Sequence, residues 1–185
     1  MIIASFDQMN AAAAEIADHV TKKIGIEGVK NLAIVAEPTG GMCLAVKISH
    51  VLELIICRAQ KAPGTKKGSV FVRQAGIDIA IEHAQPQHIL WVNDLIDSGR
   101  TLTAARRHLE GLLSAVPPIH KSNLIMAAWF NKTWLDKASY DFLDKPRPSS
   151  FFSVDQTEPA KWIVFPWENG HRAKDDEEAY RSKGQ

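Results

Sequence analysis

Residues 89–101 place carboxylates directly before a loop of the size that holds a phosphate. They read Ile-Leu-Trp-Val-Asn-Asp-Leu-Ile-Asp-Ser-Gly-Arg-Thr. The apolar start predicts a buried strand, and the Asp97–Thr101 turn predicts a helix start. At the positive end of that helix, backbone N–H groups and hydroxyls can bind an anion. Carboxylates suit sugar hydroxyls and magnesium, so a ligand with ribose hydroxyls, a metal and a phosphate would satisfy the whole segment.

This segment resembles the signature with which type I phosphoribosyltransferases bind 5-phosphoribosyl 1-diphosphate (PRPP). In the family, four apolar residues precede two acids, two apolar residues, a third acid, Ser or Thr, Gly, any residue and Thr. Only the first acid is missing here, because Asn93 takes its place. The simpler alternative is an ordinary strand-to-helix turn, with Asp97 or Ser98 capping the helix. The resemblance implies that the 5-phosphate is bound by Asp97, Ser98, Gly99, Arg100 and Thr101.

The same resemblance implies roles for the acidic positions. Asn93 and Asp94 would face the ribose hydroxyls and the metal. Asp97 matches the family residue near purine N7, which acts as general base and stabilises positive charge developing on the sugar. The implied cofactor is Mg²⁺, held mainly by diphosphate and ribose oxygens with Asp94 in support.

Length and composition limit the classes of protein that fit. The 185 residues, of which 45% are hydrophobic, can bury one sizeable core, so we expect a single domain over residues 1–185. A net charge of +1 argues against a nucleic-acid binder and favours small-molecule partners. Cys43 and Cys57 are too few for a disulfide framework, which favours a reducing cytoplasm. No apolar run is long enough to span a membrane.

Helical and strand patterns alternate along the chain, which predicts an α/β fold with a mostly parallel central sheet flanked by helices. Gly25 is placed to end the first helix. We expect helices over 6–24, 42–52 and 102–113, and strands over 32–36, 54–57, 70–72, 89–92 and 124–130. In such sheets ligands bind at the carboxyl ends of the strands.

A glycine loop follows the first of these strands, and the resemblance assigns it to the diphosphate. The family loop often reads Ser-Arg-Gly-Gly or Lys-Gly-Gly, whereas this chain has Thr39 at the basic position, followed by Gly40 and Gly41. Two glycines let backbone N–H groups approach an anion closely. The change at Thr39 removes one fixed positive charge from the diphosphate site. The alternative is a plain glycine turn that ends a strand.

A basic, turn-rich connection over residues 58–68 lies where the family has a long loop that closes over the active site. Closure of this kind excludes water and strengthens electrostatic interactions within the site. The alternative is a solvated loop without a role in binding. The basic residues of this predicted mobile loop are Arg58, Lys61, Lys66 and Lys67.

The C-terminal region resembles the base-binding hood of xanthine-guanine phosphoribosyltransferases, which end in a Trp-Ile-x-x-Pro-Trp-acid run. Here that run is Trp162–Glu168, and we expect the hood over about residues 131–170. An indole face can stack on a purine, and the ammonium of Lys132 can donate to an oxygen at purine position 6. Backbone groups near Ile163 and Glu168 could read position 2. Core packing of the tryptophans and a solvated Lys132 are the alternatives.

The combined prediction is a cytoplasmic, magnesium-dependent purine salvage phosphoribosyltransferase that joins a 6-oxopurine to PRPP and releases diphosphate. Because Asn93 and Thr39 both weaken metal and diphosphate handling, a regulatory protein that binds PRPP or a nucleotide is the first alternative. A phosphoribosyltransferase with another acceptor, such as a pyrimidine, orotate or a modified base, is the second. By analogy with the family we expect a homo-oligomer, either a dimer or a tetramer.

Overall fold

A computed structural model describes residues 1–38, 40–53, 56–58, 88–97, 99–115, 124–132, 151–158 and 160–168. The helices are α1 (Phe6–Lys30), α2 (Gly40–Leu52) and α3 (Arg100–Ala115). The strands are β1 (Ile2–Ile3), β2 (Leu32–Ala36), β3 (Ile56–Arg58), β4 (His88–Ile96), β5 (Leu124–Asn131), β6 (Phe151–Gln156) and β7 (Ile163–Val164).

Five of these strands form one parallel sheet in the order β3-β2-β4-β5-β6, which confirms the predicted fold class. β4 is the central strand, and every described residue of β2 and β5 is buried. Strands covered on both faces read as continuous apolar runs, which explains their sequences. The sheet therefore places the end of the signature strand at its centre.

Helices cover the two faces of the sheet, and each face has its own core. On one face Ile16 of α1 and Ile48 of α2 pack with Leu90, and all three are fully buried. On the other face Leu109 of α3 packs with Trp91. None of the described helices is long and apolar enough to cross a membrane.

The helices differ from the predicted ranges at their ends. α1 begins with a capping box in which the Ser5 hydroxyl accepts from the N–H of Gln8 and the Gln8 side chain accepts from the N–H of Ser5. Gly25, at φ +73°, breaks the helix as predicted, but helical residues resume and continue to Lys30. α2 begins at Gly40, two residues before the predicted start. The two glycines thus belong to the first helical turn and not to a free loop.

Three strands were absent from the sequence-based prediction. β6 pairs with β5 and extends the main sheet, although it lies inside the range expected to form the hood. β1 pairs with β7 in a separate two-stranded parallel sheet, in which Ile2 lies opposite Ile163. The N–H of Ile2 also donates to the carbonyl of Trp162 at 2.7 Å. The first residues of the chain therefore hold the Trp162–Glu168 segment in place.

Candidate active site

A cavity of about 580 Å³ opens where β2 and β4 end, where α2 and α3 begin, and where the Trp162–Glu168 segment approaches the sheet. This is the position at which parallel sheets bind ligands. The cavity is lined by Glu37, Pro38, Gly40, Asn93, Asp94, Leu95, Asp97, Thr101, Lys132, Trp162, Ile163, Phe165, Trp167 and Glu168.

Most of the described residues predicted to bind ligand lie around this one cavity. Gly41, Gly99 and Arg100 are not among its lining residues. Gly41 and Arg100 each follow or precede a lining residue directly, and Gly99 is two residues from both Asp97 and Thr101. Arg58 is the last residue of β3, and its side chain is outside the described set. Thr39, Lys61, Lys66, Lys67 and Ser98 also lie outside the described residues, as does the predicted strand over 70–72.

The end of β4 is shaped by hydrogen bonds from its own side chains. The Oδ1 atom of Asn93 accepts from the N–H of Asp94 at 2.9 Å, and its Nδ2 donates to the carbonyl of Leu95 at 2.9 Å. The Oδ1 atom of Asp94 in turn accepts from the N–H of Leu95 at 2.8 Å. Because the Asn93 amide uses its nitrogen and its oxygen on the backbone, it stabilises the end of β4.

Asp94 lies at the most acidic point of the cavity. Burial, together with the charges of Glu168 and Glu37, raises the pKa of its carboxyl to about 7. Hydrogen bonds from the N–H groups of Leu95 and of Asp94 itself act in the opposite direction. Near neutral pH this carboxyl therefore exchanges between its neutral and charged forms.

We expect Asp94→Asn to make stability less dependent on pH. The folded-state pKa lies above the ordinary value of 3.8, so the contribution of Asp94 to stability falls as pH rises from about 4 to about 7 and is constant above that. The variant should be more stable than wild type by about 4 kcal/mol at pH 8, with little difference near pH 4. Urea unfolding at pH 4.5, 6 and 8 measures this. A difference that stays constant with pH would contradict it, and Asp18→Asn on the surface of α1 is the control.

The two glycines that open α2 are required by close packing against β4. A Cβ atom at Gly40 would overlap the carboxylate of Asp94, and one at Gly41 would overlap the carbonyl oxygen of Val92. The start of α2 can therefore lie against the signature strand only because both residues lack a side chain. The approach of these N–H groups to an anion stays a prediction, and the close neighbour in the structure is β4.

Gly41→Ala is expected to destabilise the fold by about 1–3 kcal/mol, because the backbone carbonyl it meets cannot move aside. Gly111→Ala is a matched control in α3, where a Cβ meets nothing within 4 Å. That variant should gain about 0.5–1 kcal/mol from helix propensity. Denaturant unfolding of both proteins checks the pair, and similar effects at the two positions would show that the packing at Gly41 is loose.

Lys132 and Asp97 both line the cavity, and their side chains lie close together. Lys132 is only 3% exposed, and its backbone N–H donates to the carbonyl of Ile96 at 2.8 Å, which fixes it at the end of β5. Its Nζ lies 3.9 Å from Oδ1 of Asp97, whose side chain is 50% exposed. Burial lowers the pKa of Lys132, and the charge of Asp97 partly opposes this. The alternative of a solvated Lys132 is wrong.

The start of α3 has the form expected of an anion-binding turn. Gly99 adopts φ +72°, which favours glycine, and its carbonyl accepts from both the N–H and the hydroxyl of Thr103 at 2.9 Å. Thr101 lies in the first helical turn and lines the cavity. N–H groups in the first turn of a helix have no partner within the helix, so they can bind a phosphate.

An aromatic stack forms the hood side of the cavity. The rings of Phe165 and Trp167 are parallel within 7° and 5.0 Å apart, and Phe165 also packs on Trp129 and Phe130. The side chain of Glu168 accepts from the N–H of Phe165 at 2.8 Å, which closes a tight turn over residues 165–168. Trp167 therefore combines core packing with a place in the cavity wall.

Glu37 is the functional candidate that sequence reasoning missed. It follows β2, lines the cavity and is 6% exposed. The available signal was an acid directly after a buried strand, at the edge where ligands bind.

The cavity offers oxygen ligands suited to Mg²⁺. Within the described ranges no group of three His, Cys, Asp or Glu side chains is arranged to hold a metal ion by itself. Asp94 is a hard carboxylate ligand at the cavity wall, and substrate oxygens would have to complete its coordination. The donor set thus fits an ion that enters with a phosphorylated ligand.

The parallel sheet and its edge cavity define a class, the type I phosphoribosyltransferase fold, and comparison with solved structures shows it directly. The purine phosphoribosyltransferase of Pyrococcus horikoshii Ot3 is 21% identical over 91% of this chain and 93% of its own, with a TM-score of 0.55. The xanthine-guanine-hypoxanthine phosphoribosyltransferase of Helicobacter pylori is 20% identical over 95% and 97%, with a TM-score of 0.57. A hypothetical protein of Neisseria gonorrhoeae with bound ppGpp is 20% identical over 96% of both chains, with a TM-score of 0.63.

No protein-family model and no curated protein sequence matches the chain. At these identities the structural likenesses establish the fold.

Proposed function

We propose that this protein transfers the 5-phosphoribosyl group of PRPP to a 6-oxopurine and releases diphosphate, with Mg²⁺ as cofactor. One observation carries the proposal: a single cavity brings Asp94, Asp97 and Thr101 of the signature together with Lys132 and the Trp162–Glu168 segment. These residues come from three distant parts of the sequence. Their resemblance to the family assigns the signature to PRPP, and Lys132 and the Trp162–Glu168 segment to the purine.

The residues divide the work along the cavity. The first turn of α3 receives the 5-phosphate, and the end of β4 receives the ribose hydroxyls. As the bond from ribose C1′ to diphosphate oxygen breaks and the bond to the purine nitrogen forms, the Asp97 carboxylate stabilises the cationic sugar and takes the proton that leaves N7. When bound, Mg²⁺ neutralises charge on the departing diphosphate.

The base subsite combines a buried ammonium with an aromatic wall. Lys132 can donate to an oxygen at purine position 6, and a neighbouring aromatic ring can stack on the base. An amino group at position 6 would instead meet a cation that only donates, which disfavours adenine. This supports a 6-oxopurine as acceptor over an aminopurine, and the aromatic wall supports a purine over a pyrimidine.

The test is a product assay with purified protein, Mg²⁺, PRPP and separate samples of hypoxanthine, guanine, xanthine, adenine and orotate. Nucleotide and diphosphate in equal amounts from the 6-oxopurines would support the proposal and name the preferred base. Product only from adenine or orotate would keep the fold and chemistry but assign another acceptor. Light scattering on the same sample tests the proposed homo-oligomer, and fractionation of the native cells tests its cytoplasmic location.

A regulatory nucleotide-binding protein is the second candidate. Asn93 stands where the family signature has an acidic residue, and Thr39 stands where the diphosphate loop of the family has a basic residue. The loss of these two charges favours binding over turnover. The similar Neisseria gonorrhoeae structure holds ppGpp, a guanine nucleotide with two diphosphate groups. Calorimetric titration with PRPP and with ppGpp separates the candidates: tight binding of either ligand, with no product from any base, would favour the regulatory protein.

A further inference from the structure

We propose that Glu37 supplies the second carboxylate of the ribose site, in place of the acid that the signature lacks at Asn93. This inference rests on the proposed function, because it assigns a ligand-binding residue to the same PRPP site. Glu37 lies outside the signature, so the missing acid would have been replaced from a neighbouring strand.

The sheet register brings Glu37 to the required place. β2 and β4 are parallel neighbours in which Ala36 lies opposite Val92, so Glu37, the first residue after β2, lies beside Asn93, which is still part of β4. The backbone N–H of Glu37 donates to the carbonyl of Val92 at 3.0 Å, which fixes this relation. The two positions therefore occupy the same edge of the sheet, one strand apart.

The carboxylate of Glu37 is directed inward. Glu37 is 6% exposed, and it lines the same cavity as Asp94. A surface glutamate without a binding role would stay hydrated, because burial of a carboxylate is costly. Its charge is also close enough to contribute to the raised pKa of Asp94, after burial and Glu168. Glu37 and Asp94 thus form a pair of carboxylates at the cavity wall.

Asn93 is poorly suited to the role that its position has in the family. Its Oδ1 accepts from the N–H of Asp94, and its Nδ2 donates to the carbonyl of Leu95. An Asp at this position would lose the second bond and would turn a carboxylate oxygen toward the Leu95 carbonyl. It would also add a third carboxylate beside Glu37 and Asp94. An amide at position 93 is therefore compatible with an acid at position 37.

The experiment compares wild type, Glu37→Gln, Asn93→Asp and the double variant. Ribose hydroxyls donate hydrogen bonds to a charged acceptor, and loss of such a bond weakens binding by roughly 10- to 100-fold. We therefore expect Glu37→Gln to raise the KM for PRPP by that factor, with an unchanged KM for the base. Asn93→Asp alone should give no gain. In the double variant the new acid should raise the affinity for PRPP at least tenfold above that of Glu37→Gln.

Calorimetric binding of PRPP with Mg²⁺ gives the same comparison independently of turnover. Glu37→Asp keeps the charge and should retain more PRPP affinity than Glu37→Gln, which preserves the test if Asn93→Asp folds poorly. Glu27→Gln, on the exposed end of α1, is the matched control. Thermal unfolding of each variant shows whether a loss of affinity is a loss of fold.

Two results would overturn the inference alone while the proposed function stands. One is a wild type that binds PRPP and forms nucleotide, with a Glu37→Gln variant whose PRPP affinity is unchanged. The other is a Glu37→Gln variant whose loss of PRPP affinity accompanies a lower thermal midpoint, is not restored by adding Asn93→Asp, and is equally large in Glu37→Asp. That result would make Glu37 structural. A folded wild type that neither binds PRPP nor forms product would overturn the proposed function, and the inference with it.

Discussion

Asp97→Asn is expected to lower kcat for nucleotide formation by about 10²–10⁴-fold, the range associated with loss of a general base. The amide has nearly the shape of the carboxylate but cannot take a proton or stabilise a cationic sugar. Because the Asp97 side chain is half exposed, its replacement should leave the thermal midpoint within a few degrees of wild type. Pre-steady-state product formation and the KM for PRPP separate the chemical step from binding.

The matched control for Asp97→Asn is Asp18→Asn, which removes a carboxylate from an exposed ion pair with Lys22 on α1. Exposed pairs of this kind contribute about 0–1 kcal/mol, and this one lies far from the cavity. The control should keep wild-type kcat. An Asp97→Asn variant with kcat within threefold of wild type would remove Asp97 from the chemical step and leave it as part of the phosphate-binding turn.

The central part of the fold could be predicted because its residues are buried on both faces. β2 matches its predicted range, β5 exceeds its range by one residue and β4 exceeds its range by five. Short apolar runs such as Leu32–Ala36 are typical of parallel strands that are covered on both faces. The same argument located the cavity, because the carboxyl ends of these strands lie together whatever the loops do.

The outer strands could not be predicted from local pattern. β1 and β7 are two residues each, and their pairing joins positions about 160 residues apart, for which periodicity gives no signal. β6 reads Phe-Phe-Ser-Val-Asp-Gln and is only partly buried, because it lies at the edge of the sheet. Among the described strands it pairs with β5 alone, and its partial burial leaves a weaker hydrophobic pattern in its sequence.

The candidate site divides in the same way. Contiguous residues of the signature were found because a known spacing connects them to one ligand. Glu37 was missed because its relevance comes from register with β4. For Trp167 the sequence left base stacking and core packing as alternatives, because its stacking on Phe165 depends on the turn over residues 165–168. Contacts between strands are properties of the sheet, so they are visible only once its order is known.

Lys132→Met is expected to lower kcat/KM for the preferred 6-oxopurine by about 10- to 150-fold, the value of one hydrogen bond from a charged donor. The kcat/KM for adenine, which has no oxygen at position 6, should fall much less. The preference for 6-oxopurines over adenine should therefore decrease. The ratio of kcat/KM values for hypoxanthine and adenine measures this. Lys22→Met, on the exposed face of α1, is the control for loss of a lysine charge.

Stability separates this base-binding role of Lys132 from a structural one. The ammonium is almost fully buried, whereas its partner Asp97 is half exposed and keeps water when the lysine is removed. Replacement by an apolar chain of similar length removes the cost of burying the charge, so the thermal midpoint should stay constant or rise. A lowered midpoint together with an equal loss for both purines would assign Lys132 to the fold. A preserved midpoint with a loss confined to 6-oxopurines would assign it to the base, since only contact with the position-6 oxygen distinguishes the two substrates.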